Sequence, residues 1–321
     1  MSALQHTPAR EDAPMPTPVI IDCDPGHDDA MALLLALGSP ELELVAVTTV
    51  AGNQTLEKVT DNAIRVLDVA GRTDIPVAAG ADRPLVHPAR VASEVHGETG
   101  LDGPELAAPS REPEPIHAVE LMARELRERP LTLVAIGPLT NIALLLALHP
   151  ELAERIERIV LMGGAIAEGN VTPAAEFNIW CDAEAAQRVF SSGVNVTMVG
   201  LDVTHRARLG PDRAEGLRAS GRAGAFVADL HGFYSRFHAQ IYGDPSTPVH
   251  DALAVASLIR PALLQIERLH TEVDTSLGLC RGRTVVDRWR RTGLEPNAGV
   301  AVGVHGDAFI DLLCARIASL G

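Results

Sequence analysis

The sequence predicts an α/β protein: an open, mainly parallel sheet flanked by helices, Rossmann-like, with a small antiparallel appendage near the C-terminus. Two observations carry this expectation. Strand-like and helix-like segments alternate through the first half of the chain, and the strand-like segments are continuous apolar runs rather than alternating ones. Strands covered by helices on both faces read this way.

Taken in order, Val19-Ile20-Ile21 is a short apolar run that breaks into acidic residues and Pro25-Gly26. A helix follows from Asp28 to about Leu37. Residues 44–50, LVAVTTV, form a buried strand that Gly52-Asn53 ends, and Leu56 to Val69 has helical periodicity. Ile75-Pro76-Val77 is a brief strand. The polar stretch from Asp82 to Glu114, which contains HGETGLDG, is long for a loop unless it serves a site. Ile116 to Arg129 is helical, residues 131–136 (LTLVAI) form a strand, and Leu139 to Leu148 is the next helix. Residues 159–162 (IVLM) form a strand closed by Gly163-Gly164, Ala183 to Phe190 is a helix, and Val194 to Val199 is a strand. From Pro211 to Ala256 the pattern is helical, and Glu272-Val273-Asp274 and residues 299–302 (GVAV) are late strands assigned to the antiparallel appendage. Without a repeat or a clear linker, residues 19–321 read as one domain. Residues 1–18, polar and proline-rich, read as a flexible N-terminal arm.

Composition narrows the function. The 321 residues are 46% hydrophobic, enough for a substantial core, and 42 acidic against 27 basic residues give a net charge of -15. Such a surface repels phosphate polymers and anionic membranes, so no nucleic acid and no membrane is expected as a partner. Four scattered cysteines (Cys23, Cys181, Cys280, Cys314) fit neither a zinc spacing nor a disulfide framework and suit a reducing compartment. No secretory signal is visible and no apolar run is long enough to span a bilayer, so a soluble, cytoplasmic protein is expected.

In open α/β sheets ligands bind beyond the carboxyl ends of the strands, and polar residues gather at those ends here. DCDPGHDD follows the first strand, Gly52-Asn53 the second, GPLTN the run ending at Ile136, and Gly163-Gly164 and then Glu176-Phe177-Asn178 the run ending at Met162. Four aspartates within eight residues repel one another if ionised and close, and a divalent cation relieves that repulsion. Oxygen-only ligands favour calcium or magnesium over zinc. The plainer alternative is a helix N-terminus dressed with acidic caps. That accounts for any one of the aspartates, but one helix end cannot satisfy four carboxylates. Taken singly, other residues have plain readings too: Asn53 a turn, Asn178 a loop hydrogen-bonder, Met162 core packing, and His250-Asp251 the cap of the helix ALAVASLI.

DCDPGHDDA resembles the amino-terminal signature of the inosine-uridine-preferring nucleoside hydrolases. VAGNQTLEKVTDNA, HGETGLDG, AIGPLTNIA, VLMGGA, EFNIWCDAEAA and PVHDALAVA fall in that family's order, from Val19 to the end of the chain. The resemblance implies calcium-dependent hydrolysis of the N-glycosidic bond of ribonucleosides to ribose and free base, in nucleoside salvage. It implies calcium held by Asp24, Asp29, Asp251 and the backbone carbonyl of Ile136, with the ribose diol and a water completing the shell. It further implies Asp24 as the base that deprotonates the water and Asp28, Asn53, Glu176 and Asn178 as partners of the ribose hydroxyls. Met162 would lie beneath the sugar, and His250 beside the leaving base. By the same resemblance the protein is a homodimer or homotetramer.

The residue types suit the chemistry. Carboxylates stabilise an oxocarbenium-like transition state, and a metal both orients a diol and lowers the pKa of bound water. Base recognition is sketched more lightly. His250 can protonate or hydrogen-bond the departing base, His96 can contribute from the long loop, and Phe177 can pack near the sugar. His238 and Tyr242, four apart, share one helix face, and their spacing before His250 resembles the family's mobile base-contacting segment. The His250-Asp251 pair resembles the branch holding pyrimidine-preferring and broad-specificity enzymes. Aromatic residues make up only 3% of the chain, against the aromatic stacking of the purine-specific branch, although Trp180 lies close to Asn178. Two rival readings remain. One is a magnesium-dependent phosphatase of the haloacid-dehalogenase type, with Asp22 as nucleophile and Asp24 as acid/base. Its phosphate would need basic loop residues where this chain offers Asn, Glu and Asp. The other is a non-catalytic nucleoside-binding protein.

Overall fold

The computed structural model describes residues 15–321. Most of the expected N-terminal arm lies outside the described residues; Thr17 and Pro18, its last members, already belong to the first strand. In chain order the elements are β1 (Thr17–Cys23), α1 (His27–Leu37), β2 (Leu42–Thr49), α2 (Leu56–Val69), β3 (Val77–Ala79), α3 (Ser93–His96), α4 (Ala118–Glu128), β4 (Leu131–Ala135), α5 (Thr140–Leu148), β5 (Ile156–Met162), α6 (Phe177–Cys181), α7 (Ala183–Phe190) and β6 (Val196–Val199). There follow α8 (Leu201–Thr204), β7 (Arg208–Leu209), α9 (Pro211–Gly216), α10 (Arg222–Tyr242), β8 (Thr247–Pro248), α11 (His250–Ile259), β9 (Leu264–Leu269), β10 (Thr271–Val273), β11 (Thr284–Val286), β12 (Ala298–Val304) and α12 (Gly306–Ala318).

Eight strands form the central sheet in the order β3-β2-β1-β4-β5-β6-β12-β9. Every neighbouring pair is parallel except β12 with β9. The order reverses at β1, whose neighbours are β2 and β4, so a crevice opens where their carboxyl ends diverge. The pleat of β1 sends Val19, Ile21 and Cys23 into one hydrophobic layer and Ile20 into the other. That two-sided burial is why the strand reads as an unbroken apolar run. α1 is enclosed almost all round, with Ala30 to Ala36 buried, so it lacks the polar stripe of a surface helix.

The C-terminal expectations need correction. Residues 299–302 do not belong to an antiparallel appendage. β12 sits inside the main sheet, parallel to β6 and antiparallel to β9. Only β10 and β11 form a separate antiparallel pair of the kind expected, and a second small pair joins β7 to β8. The helical stretch expected from Pro211 to Ala256 is interrupted at Gly243–Val249, where α10 ends on a left-handed glycine and DPSTP begins. Ile75 and Pro76 precede β3 rather than form it; the Pro76 carbonyl still accepts from Val47 N–H, but its ring nitrogen has no hydrogen to give. Among the described residues no helix is long and apolar enough to cross a membrane.

Candidate active site

At the reversal point lies a cavity of about 720 Å³. Asp28, Asn53, His96, Ile136, Met162, Glu176, Phe177, Asn178, His238, His250 and Asp251 all line it. Asp24 and Asp29 lie buried behind this lining and bond directly to it. Tyr242 is the last residue of α10; its side chain lies outside the described part of the structure.

The acidic floor is built by the β1–α1 turn. Asp29 accepts from Gly26 N–H (3.0 Å) through Oδ2 and from Asp24 N–H (3.1 Å) through Oδ1, so it caps the helix and folds the turn at once. Asn53 locks β2 to this turn: its N–H donates to Asp24 Oδ2 (2.6 Å), and its Nδ2 donates to Asp29 Oδ2 (3.0 Å) and the Asp24 carbonyl (3.1 Å). Gly52 and Gly137 press on Asp24 from two sides. A Cβ on Gly52 would stand 2.1 Å from Asp24 Oδ2, and one on Gly137 2.6 Å from Oδ1. α11 then delivers Asp251 from more than two hundred residues away. Asp28, Asp29 and Asp251 can each offer an oxygen with all three within 4.8 Å of one another. Asp24 stands against this triad rather than in it.

Burial raises the carboxyl pKa values throughout the cluster, and for Asp24, Asp28 and Asp251 neighbouring carboxylates add to the effect. Burial and then the Asp29 charge push Asp24 well above the usual range; burial and then Asp28 and Asp29 do the same to Asp251. Asp28 is pushed up to about 7 by burial and by Asp29. Asp24 Oδ1 is fully buried with no hydrogen-bond partner among the described residues. An orphaned carboxylate oxygen beside three converging acids fits a hard, oxygen-seeking dication, and the donor set contains no thiolate. The residues therefore fit a hard divalent cation of the calcium or magnesium type.

Asn178 ties the next two strand ends together. Its Nδ2 donates to the carbonyls of Ile136 (2.9 Å) and Met162 (3.1 Å) and lies 3.7 Å from Met162 Sδ. Glu176 is the N-cap of α6: Oε1 accepts from Asn178 N–H (2.9 Å), and Oε2 from Gly164 N–H (2.9 Å) and Ile179 N–H (3.2 Å). Burial raises its pKa to about 6 even against these donors. Glu176 thus caps a helix and lines the cavity with the same side chain.

The far end of the cavity carries rings. His96 stacks with His27 and Tyr234, and Tyr234 meets His238 edge-on at 4.7 Å. The long loop that bears His96 is pinned by α2. Gln54 donates to the Gly97 carbonyl, and Asn62 to those of Thr99 and Pro25. His250 Nδ1 lies 2.7 Å from Thr204 Oγ1, and its ring meets His205 edge-on. Burial, with help from neighbouring charges, holds His250 well below the usual histidine range.

Sequence reasoning passed over several lining residues: Tyr234 and Phe237 on α10, and His205, Arg208 and Asp244 near β7 and β8. Tyr234 and His238 lie four apart on the face that the 238/242 spacing had suggested, so one more step back would have found Tyr234. Nothing local marks His205 or Arg208. Asp22, the nucleophile of the phosphatase alternative, faces away from the cavity. Its Oδ1 accepts from Thr48 Oγ1 (2.6 Å) and Asn141 Nδ2 (2.8 Å) in the interior of the sheet.

The sequence profile of the inosine-uridine preferring nucleoside hydrolases matches residues 19–311. Similar curated proteins include the pyrimidine-specific ribonucleoside hydrolase RihA of Shewanella sp. (strain ANA-3), 52% identical over 308 residues, which cover 95% of this chain and 97% of that protein. The protein of the same name from Citrobacter koseri is 50% identical over 308 residues, 95% of this chain and 99% of that one. Among solved structures, the purine-preferring ribonucleoside hydrolase from Gardnerella vaginalis superposes with a TM-score of 0.90 at 34% identity, covering 95% of this chain and 99% of that one. A plant nucleoside hydrolase does so at 0.88 and 35% identity, covering 94% and 99%.

Proposed function

Because the chain belongs to the inosine-uridine preferring nucleoside hydrolase family and is a ribonucleoside hydrolase, we propose that it is a calcium-dependent, pyrimidine-preferring enzyme of nucleoside salvage, acting as a single domain over residues 19–321. The observation that carries this reading is the buried Oδ1 of Asp24, without a hydrogen-bond partner among the described residues, beside the Asp28–Asp29–Asp251 triad. The pyrimidine preference is supported by relatives at 50–52% identity that are named pyrimidine-specific, against 34% for the purine-preferring structure. A homodimer or homotetramer in the cytoplasm is the assembly and location proposed with it.

Calcium, held by Asp24, Asp29, Asp251 and the Ile136 carbonyl, would orient the ribose diol and lower the pKa of water. The remaining roles fall to side chains. Asp24 takes the proton of the attacking water; Asn53 N–H fixes one of its oxygens and leaves the other for the proton. Asp28, Asn53, Glu176 and Asn178 bind the ribose hydroxyls, Met162 supports the sugar from beneath, and Phe177 flanks it. The carboxylates stabilise the positive charge that develops on the ribosyl ring. His250, braced through Nδ1 by Thr204, turns Nε2 toward the leaving base, with His96, His238 and Tyr242 as further base contacts.

The test is to incubate purified protein with uridine, cytidine, inosine and adenosine, with and without a calcium chelator, and to measure released ribose. Faster release from uridine and cytidine, lost with chelator and restored by calcium, is expected. Equal release in chelator would remove calcium from the proposal, and faster release from inosine would remove the pyrimidine preference.

A further inference from the structure

Asp28, Asp251 and Glu176 line the sugar side of the cavity, and Arg208, paired with Asp244, is the one permanently charged cation among the described lining residues. Arg208 sits on β7, paired with Pro248 of β8, two positions before His250. One edge of its guanidinium is fixed. Nε donates to Ser246 Oγ (2.9 Å), and Nη2 donates to the Ser246 carbonyl and pairs with Asp244 Oδ2 at 3.2 Å. Nη1 has no hydrogen bond to any described residue, so two N–H donors remain on a fork that is already oriented. Around it, His205 and His238 carry little charge at neutral pH, because burial and then Arg208 itself lower their pKa values. The positive charge at this end is therefore carried by Arg208, and Asp244 offsets part of it from the edge opposite Nη1.

Resting on the ribonucleoside-hydrolysing reading above, we propose that Arg208 donates from Nη1 to the O2 carbonyl of the pyrimidine and takes up the negative charge of the departing base. As the C1′–N1 bond breaks, its electron pair goes to N1 and spreads onto O2. The water oxygen bonds to C1′ while the water proton passes to Asp24. The base leaves as an anion paired with Arg208 and then takes up one proton by way of solvent, so that ribose and neutral base result. Uracil and cytosine share an oxygen beside the glycosidic nitrogen. Adenine has none, and the oxygen of hypoxanthine lies across the ring system. A donor at this place therefore favours pyrimidines through the leaving group, and an oriented donor aimed at developing charge acts mainly on kcat.

The experiment compares wild type, Arg208→Met and Arg208→Lys on uridine, cytidine, inosine and p-nitrophenyl β-D-ribofuranoside, whose phenolate leaves without help. In Arg208→Met, kcat for uridine and cytidine should fall on the order of 10²-fold, while inosine and the nitrophenyl riboside change less than about threefold. Arg208→Lys, which keeps the charge without the fork, should recover about tenfold of the loss. A parallel fall on the nitrophenyl riboside, or undiminished uridine turnover, would overturn the role. If Arg208→Met does not fold by circular dichroism, Arg208→Lys carries the same comparison: a loss confined to the two pyrimidines supports the role, and a uniform loss or none removes it. Wild-type enzyme releasing ribose from none of the four substrates would instead defeat the hydrolysis reading itself.

Discussion

The two oxygens of Asp24 are treated oppositely by Asn53 and by the rest of the fold. Oδ2 accepts the Asn53 N–H at 2.6 Å, whereas Oδ1, fully buried, has no hydrogen-bond partner among the described residues. Burying a polar atom without a hydrogen bond costs about 1–3 kcal/mol, more if charged. Asp24 thus reaches the carboxyl end of β1 with one oxygen held and the other free to act.

Asp24→Asn should lower kcat by about 10³-fold or more, because an amide cannot accept the water proton. Ribose release measures this, and the variant should melt no lower than wild type in chelator, since an amide oxygen still accepts the Asn53 N–H and burial already disfavours the charged form of Asp24. Retention of most activity would show that another group is the base.

Calcium should raise the melting temperature of the wild-type chain, by an amount equivalent to about 2.7 kcal/mol when the free ion exceeds its dissociation constant a hundredfold. Asp29→Asn and Asp251→Asn should weaken that shift. Thermal melts across a calcium titration read it without any turnover. A melting point indifferent to calcium would argue against the site.

Gly52→Ala should depress both activity and stability. The new Cβ would stand 2.1 Å from Asp24 Oδ2, inside any tolerable contact, so the Asn53–Asp24 bond must open. Overpacking of this kind costs about 1–3 kcal/mol. Urea unfolding checks it, and a midpoint equal to wild type would mean that the turn yields easily.

Glu176 makes stability depend on pH with a definite sign. Burial raises its folded-state pKa from 4.5 to about 6, so the folded chain binds this proton more tightly than the unfolded one. Its contribution is full below about pH 4.5 and is lost as pH rises through about 6, a difference of about 2 kcal/mol. The gap in unfolding free energy between wild type and Glu176→Gln should shift against wild type across that window. A gap constant with pH would contradict the assignment.

2′-Deoxyuridine should be turned over about 10⁴-fold less efficiently than uridine, because buried acceptors built for a vicinal diol are left unpaired. Comparison of kcat/KM for the two nucleosides decides it. Ratios near one would mean that the diol is not what Asp28 and its neighbours hold.

Local sequence carried much of this protein. The apolar run of β1, broken at Asp22-Cys23-Asp24-Pro25-Gly26, already announced a buried parallel strand with acids at its carboxyl end. The ordered motifs carried the family, because their residue types and sequence order survive without coordinates. The main errors lay where long-range pairing decides. β12 looked like an appendage because seven residues of AGVAVGV say nothing about which neighbour they find; pairing with β6 put them in the main sheet.

The same division runs through the site. That Asp24, Asp28, Asp29 and Asp251 are carboxylates was fixed by sequence. That Asp251, rather than some other helix-capping acid, joins Asp28 and Asp29 was decided by α11 packing against α1, and that Asp22 stays out of the site was decided by Thr48 and Asn141, which hold it in the interior of the sheet. Arg208 lies farthest from any local signal. Its neighbours in sequence are ordinary, and only the pairing of β7 with β8 brings its charge to the cavity wall. Proximity in space between residues far apart along the chain is a property of packing, and no periodicity or motif records it.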